Sequence, residues 1–255
     1  MKIDFGLLPS IATLFMLIFA RVGSILMLMP GLGEQVIPVR LKLTLALAIA
    51  LVFYPLVGNA YGTVPQTPAA LGLLFGGELL LGLAIGFALR LLMATLQVAG
   101  SAIAMQLNLS FAEAVDPTQS QNSVLVANFL NVTGVALIFA TDLHHMAIAG
   151  LLDSYKLFRP GTNLFVGDFG SMAVMTVAES FRVGLEIAAP FIVFGLVFQF
   201  GLGVLSRLMP QLQVYFVATP AAIAIGFVLL MLLTGAIFTL YLNHADTVFG
   251  RFLAH

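Results

Sequence analysis

Eight ionisable side chains lie within or at the edges of long apolar runs in this 255-residue chain: Arg21, Glu78, Arg90, Asp142, Glu179, Arg182, Glu186 and Arg207. A charge at mid-depth in a bilayer costs about 2.5–3.5 kcal/mol on insertion scales, so eight facing lipid would cost on the order of 20–28 kcal/mol. They must therefore pair, sit near helix ends, line water or lie in protein. Glu179, Arg182 and Glu186 show the clearest local pattern. Offsets of three and four put both carboxylates within reach of one guanidinium along a helix face. Two chemistries fit: an ion-pair stripe that neutralises itself, or an acid–base proton relay. Glu78 and Arg90 stand twelve residues apart, about 120° round a helix. They cannot meet, and each needs a partner elsewhere.

A second candidate is the polar stretch over residues 109–122, which holds Ser110, Phe111, Glu113, Asp116, Pro117, Thr118 and Gln119 between two apolar runs. Irregular backbone at membrane depth survives only inside protein or beside water, because its free N–H and C=O groups go unpaired in lipid. Such a segment is where a channel or carrier works. Asp142-Leu143-His144-His145 raises a metal hypothesis, but adjacent histidines on a helix diverge and no third imidazole is near in sequence. Thr141 or Asp142 as the N-cap of a helix running through 145–152 is the better reading, and no metal is expected. Zincin, nucleophile-elbow, Walker and dinucleotide patterns are all lacking. The expectation is that the chain is not an enzyme and takes no cofactor.

The elements that must position these groups follow from composition. The chain is 61% hydrophobic and 8% charged, against about 25% charged in a soluble domain, and its mean hydropathy is +1.10. So much apolar surface requires lipid or neighbouring protein as part of the solvent. A net charge of −1 with no basic stripe offers nothing to nucleic acid, and without cysteine there is no thiolate metal site or disulfide framework.

Apolar segments fall at residues 7–29, 41–56, 69–107, 124–141, 173–205 and 214–242. A spanning helix needs about 20 residues. The second is short; the third and fifth are long enough to bend or to reach beyond the hydrocarbon layer, and Pro190 predicts a kink. Pro30-Gly31-Leu32-Gly33 ends the first helix and Pro38 opens the second. Residues 153–168 read as the longest ordinary loop. Gly72, Gly76, Gly82 and Gly86 form two pairs at a spacing of four, which predicts a close helix approach on that face. The N-terminus is expected to be retained rather than cleaved as a signal, since the apolar run continues past Arg21. Arg40 and Lys42 mark one cytoplasmic end and Lys156 and Arg159 another; the acids nearly balance them, so the bias fixes no orientation.

Five motifs, in order along the chain, resemble the FliR family of the bacterial flagellar type III export apparatus. They are Phe19-Ala20-Arg21-Val22; Pro38-Val39-Arg40-Leu41-Lys42; Gly77-Glu78-Leu79-Leu80-Leu81-Gly82; Ser110-Phe111-Ala112 with Val115-Asp116-Pro117; and Arg207-Leu208-Met209-Pro210-Gln211. The resemblance implies an all-α, membrane-associated export-gate subunit of long bent helices and helical hairpins. One copy would join several FliP-family and FliQ-family subunits in a spiral hetero-oligomer, with an FlhB-family protein around it. Residues 1–165 would be the FliP-like part, carrying a pore loop near 106–123, and 166–255 the FliQ-like hairpin.

The same resemblance implies a place in the bacterial inner membrane, at the flagellar basal body, with unfolded exported proteins passing through. Phe111 matches a plugging phenylalanine, with Glu113, Asp116 and Pro117 beside it; Ala114 stands where a second phenylalanine is found in the family. Arg21, Glu78, Arg90, Glu179, Arg182, Glu186 and Arg207 would be intersubunit or buried charges. Three other readings stay open: the equivalent subunit of a virulence type III system, a small-solute secondary transporter using the charges as coupling groups, and a purely structural membrane scaffold.

Overall fold

The computed structural model describes residues 8–34, 36–62, 65, 67–109, 125–161, 166–209 and 214–253. Among them the architecture is all-α, with no strand. The helices are α1 (Leu8–Leu28), α2 (Val39–Val57), α3 (Pro68–Gln106), α4 (Leu125–Ala140), α5 (Leu143–Leu157), α6 (Val166–Leu208) and α7 (Val214–Gly250). A 3-10 turn over Gly58–Tyr61 extends α2. Five helices, α1, α2, α3, α6 and α7, are long and apolar enough to cross a membrane; α4 and α5 pass that test only as one broken span.

The two overlong segments are continuous helices of 39 and 43 residues, α3 and α6, and the helix of α6 runs on through Pro190. Backbone groups freed by an internal proline are re-satisfied by local adjustment and by neighbours, which is why such helices tolerate it. Residues 153–157, expected in a loop, belong to α5 instead. Ser154 and Tyr155 are buried there, and Lys156 pairs with Asp153 at 2.6 Å one turn back. Charge in the sequence marked a surface, not a helix end. Pro30 and Gly31 do stop α1, with Gly31 in the left-handed region at φ 82°. Pro38 stands as the N-cap of α2.

Two compact units form. The first comprises residues 1–92, 139–177 and 245–255; the second comprises 93–138 and 178–244. In the first, Ile25 of α1, Ile85 and Leu89 of α3, Leu151 of α5, and Phe249 and Phe252 at the end of the chain meet around a small apolar cavity. In the second, the C-terminal half of α3 is the central strut. Gly100 of α3 lies against the backbone of Ala127 in α4, and Gly184 of α6 lies against the carbonyl of Thr95. Gly226 of α7 lies against Leu107.

In α2 both faces are apolar, unlike a helix of a soluble bundle. In α2 the buried residues are Ala46, Ala50, Phe53 and Val57, one stripe at helical spacing. Leu41, Leu47, Leu51, Val52 and Leu56 point outward. Ala46 and Ala50 keep half of the inner face small, so backbones approach there; the outer face is bulky and apolar, suited to lipid or to another subunit.

Of the two glycine pairs expected to pack, only the second does. A Cβ on Gly82 would collide with Ser24 Oγ and stand 2.7 Å from the carbonyl oxygen of Arg21; one on Gly86 would stand 2.9 Å from Leu28 Cβ. Gly72 and Gly76 have nothing within 4 Å. The α1–α3 contact therefore depends on Gly82 and Gly86. Gly82→Ala should lower the melting temperature of the detergent-solubilised protein through an overpacking cost of about 1–3 kcal/mol. Gly76→Ala should leave it unchanged or higher, gaining about 1 kcal/mol of helix propensity. Equal melting temperatures for the two variants would refute the close approach.

Candidate functional site

Arg21 and Glu78 are the two deepest charges described, at 0% and 1% exposure. They meet across α1 and α3 as a fork: Arg21 Nε donates to Glu78 Oε2 at 2.5 Å and Nη2 to Oε1 at 2.9 Å. Arg21 Nη1 donates twice more, to the carbonyls of Ser154 at 3.1 Å and Phe158 at 3.0 Å. Those carbonyls lie at the C-terminal end of α5, where the dipole favours a cation; the Ser154 carbonyl also accepts from the Phe158 N–H at 2.9 Å. The guanidinium thus pairs with an acid and caps a helix together.

Two aromatics complete this cluster. The Tyr155 ring lies 4.2 Å from the guanidinium carbon in a cation–π contact. The Tyr155 hydroxyl donates to the carbonyl of Ile18 at 3.4 Å, and the Tyr61 ring leans on Tyr155 at 6.2 Å between centroids. Arginine, rather than lysine, suits the place because its planar fork serves two carboxylate oxygens and two carbonyls at once. Helix spacing along the chain had excluded an Arg90–Glu78 pair; it did not say that Arg21 was the partner.

Arg90 finds Glu34, in the turn that follows α1, at 2.7 Å. That pair is partly open to solvent, and Lys42 Nζ closes the same turn by donating to the carbonyl of Gly33 at 2.9 Å. In the second unit, the expected stripe forms between Arg182 and Glu186, 2.9 Å apart; Glu179 is half-buried one turn earlier. Arg182 and Glu186 are 79% and 48% exposed, within a 39-residue span whose most apolar stretch suits a membrane crossing. Arg207 is exposed in the last turn of α6, at the end where a cation complements the dipole.

Asp142 stands at the N-cap of α5, as expected for one of the two candidates, but with φ 59° and no side-chain capping bond. Its carboxylate Oδ1 lies 3.4 Å from His145 Nδ1 instead. His144 and His145 do not diverge: their rings lie 4.0 Å apart between centroids. In the first turn of a helix there is no preceding turn to exclude rotamers, so two long side chains fold together although their Cβ atoms point apart. Phe111, Glu113, Asp116 and Pro117 lie outside the described residues.

Sequence reasoning missed Glu34, Ser154, Phe158, Tyr155 and Tyr61 as partners. The only signal for Glu34 was the demand of Arg90 for an acid; the carbonyls of Ser154 and Phe158 left none, because backbone acceptors carry no residue identity. Removing one partner of the buried fork should be severe. Glu78→Ala leaves the Arg21 charge buried and unpaired, at about 3–5 kcal/mol, and should abolish the folded peak in detergent size-exclusion chromatography. Arg21→Met with Glu78→Leu should recover part of it, less the two bonds that Arg21 gives to the end of α5. Arg90→Ala should cost under about 1 kcal/mol, as an exposed pair does. A double variant no better than Glu78→Ala alone would contradict this account.

Comparison with known proteins places these features in context. The profile of bacterial export proteins, family 1, matches residues 12–248. The flagellar biosynthetic protein FliR of Caulobacter vibrioides is 46% identical over 216 residues, covering 85% of this chain and 86% of that protein. The FliR of Escherichia coli is 29% identical over 208 residues, covering 81% and 78%. The Yop proteins translocation protein T of Yersinia pestis is 25% identical over 225 residues, covering 86% and 84%.

Proposed function

The chain belongs to the bacterial export proteins, family 1, and from that premise we propose that it is the FliR-type subunit of a flagellar type III export gate. It is a component of a flagellar or type III export system, a membrane protein that works in complex with other export components. In the proposed reading it is a non-enzymatic gate subunit in the bacterial inner membrane at the flagellar basal body. It assembles once with several FliP-family and FliQ-family subunits, with an FlhB-family protein against the assembly. Residues 1–165 act as the FliP-like part and 166–255 as the FliQ-like hairpin. Unfolded flagellar proteins pass through a lumen that this subunit lines in part.

The observation that carries an assembled gate over a lone carrier is the Arg182–Glu186 pair. It is open to the surroundings near the middle of α6. Lipid is excluded there at about 2.5–3.5 kcal/mol per charge, so protein or water must cover it. Length supports the same reading. At about 1.5 Å per residue α6 reaches roughly 64 Å, twice the ~30 Å hydrocarbon layer; the surplus needs protein neighbours.

Within this reading, Phe111 plugs the lumen: a bulky apolar side chain in a narrow passage gates by volume and by dewetting. Glu113 and Asp116 make that stretch of the lumen acidic and Pro117 fixes its turn. Native mass measurement after mild-detergent purification checks the assembly: one copy should travel with several copies of two different partners. A stable lone monomer that transports a small solute in liposomes would favour the carrier instead. Phe111→Ala should let the assembled complex leak ions in planar-bilayer recordings without reducing its yield. Unchanged conductance in that variant and in a deletion of residues 110–118 would remove Phe111 from the plug.

A further inference from the structure

We propose that Asp142, His144 and His145 form a binding site for a divalent transition-metal ion of the zinc or copper type, independent of the export reading. One carboxylate oxygen and one nitrogen from each ring lie within 4.8 Å of one another. Two donors on a tetrahedral Zn2+ stand about 3.3–3.6 Å apart, given bonds of about 2.0–2.2 Å. Rotamer adjustment of about 1.2–1.5 Å at the widest pair therefore closes the set. Two imidazoles and a carboxylate are the donors that suit zinc, copper, nickel and iron.

Three details favour a ligand there over a self-contained surface pair. His144 Nδ1 is shut off from solvent and has no hydrogen-bond partner, an unusual state for a ring nitrogen that must either donate or accept. His145 Nδ1 and Asp142 Oδ1, at 3.4 Å, are beyond the usual 2.7–3.2 Å hydrogen-bond range, so neither group is saturated by the other. Phe139 packs against the His144 ring at 5.0 Å between centroids, which helps hold that ring in place. His145 and Asp142 are 69% and 77% exposed, so the chain itself leaves their donor atoms open to an ion.

The N-terminus of α5 repels a cation, and the Asp142 carboxylate offsets this. The donor types set the selectivity. Ions with strong imidazole affinity bind; Mg2+ and Ca2+, which require oxygen ligands, do not. A bound ion would hold the left-handed turn at Asp142 against the first turn of α5.

The test uses the full chain, purified with its co-expressed partners and without a histidine tag. Zn2+ is titrated in competition with a chromophoric chelator, and Cu2+ is followed by electron paramagnetic resonance. The wild type should take up one Zn2+ per chain, and His144→Ala and His145→Ala should each weaken this by at least about ten-fold. Asp142→Asn should weaken it less, and His255→Ala should have no effect. The Cu2+ spectrum should show coupling to two imidazole nitrogens, reduced to one in either single variant. Excess Mg2+ should not compete. Uptake no greater than buffer, Zn2+ binding unchanged in the His144→Ala/His145→Ala double variant, or a wild-type Cu2+ spectrum without nitrogen coupling would each overturn the proposal. Because the nitrogen coupling is read on the wild type, the result stands even if a variant is produced poorly.

Discussion

The Arg21–Glu78 fork is the constraint on which the first unit depends. Two charges removed from water cost several kcal/mol each even after relaxation, and mutual attraction recovers this only with near-complete hydrogen bonding. Here four of the guanidinium's five N–H groups are used, two on the carboxylate and two on the end of α5. The cluster therefore ties α1, α3 and the C-terminal end of α5 at one point. A hydrophobic replacement of equal volume would pack as well, but would not select one register among helices that are apolar almost all round. In a chain where grease meets grease along every face, a single polar lock chooses the alignment. Gly82, four residues after Glu78, lets α1 come close enough for that lock to shut.

The same logic explains why small residues face inward. Without a hydrophobic drive between helices in lipid, association rests on close packing and on polar contacts. Gly100 against Ala127 and Gly184 against the Thr95 carbonyl bring backbones together in the second unit. Asn131 Nδ2 donating to Gln97 Oε1 at 2.9 Å adds a polar tie between α3 and α4. Large side chains such as Phe191 and Tyr241 are buried as well, and those left outside, such as Phe200, Met231 and Leu232, match lipid tails or the flanks of neighbouring subunits.

Much of this was legible in the sequence, and the exceptions share a cause. Composition and run length marked out six of the seven helices, and proline and glycine marked where α1 stops and α2 starts. The need of Glu78 and Arg90 for separate partners followed from helix geometry alone. The partners themselves did not: Arg21 and Glu78 are 57 residues apart and Arg21 and Ser154 are 133 apart, and no local pattern encodes contacts at that separation. The end of α5 was misplaced because Asp153, Lys156 and Arg159 resemble loop residues, while buried Ser154 and Tyr155 leave no polar–apolar rhythm to oppose that reading. The histidines were misjudged by treating Cβ directions as ring directions. The residues from Ser110 to Pro117, where the resemblance sets the plug, fall outside the described chain, so their part rests on motif alone.

The ion pairs differ in what they demand of their surroundings, and that ordering connects fold to function. Arg21–Glu78 is satisfied entirely within the chain and asks nothing of a partner. Arg90–Glu34 is 40% and 31% exposed, satisfied by one bond and by whatever water reaches it. Arg182–Glu186 is more open than either, yet it sits in the middle of a helix whose flanking residues Phe181 and Leu185 are exposed and apolar. Neither lipid nor bulk water suits both the charges and those side chains. A mixed surface of that kind is matched by a protein neighbour that is apolar with a few polar groups at the same height. The chain therefore specifies its own core through the buried pair, while the exposed pair leaves a requirement that the proposed assembly would meet.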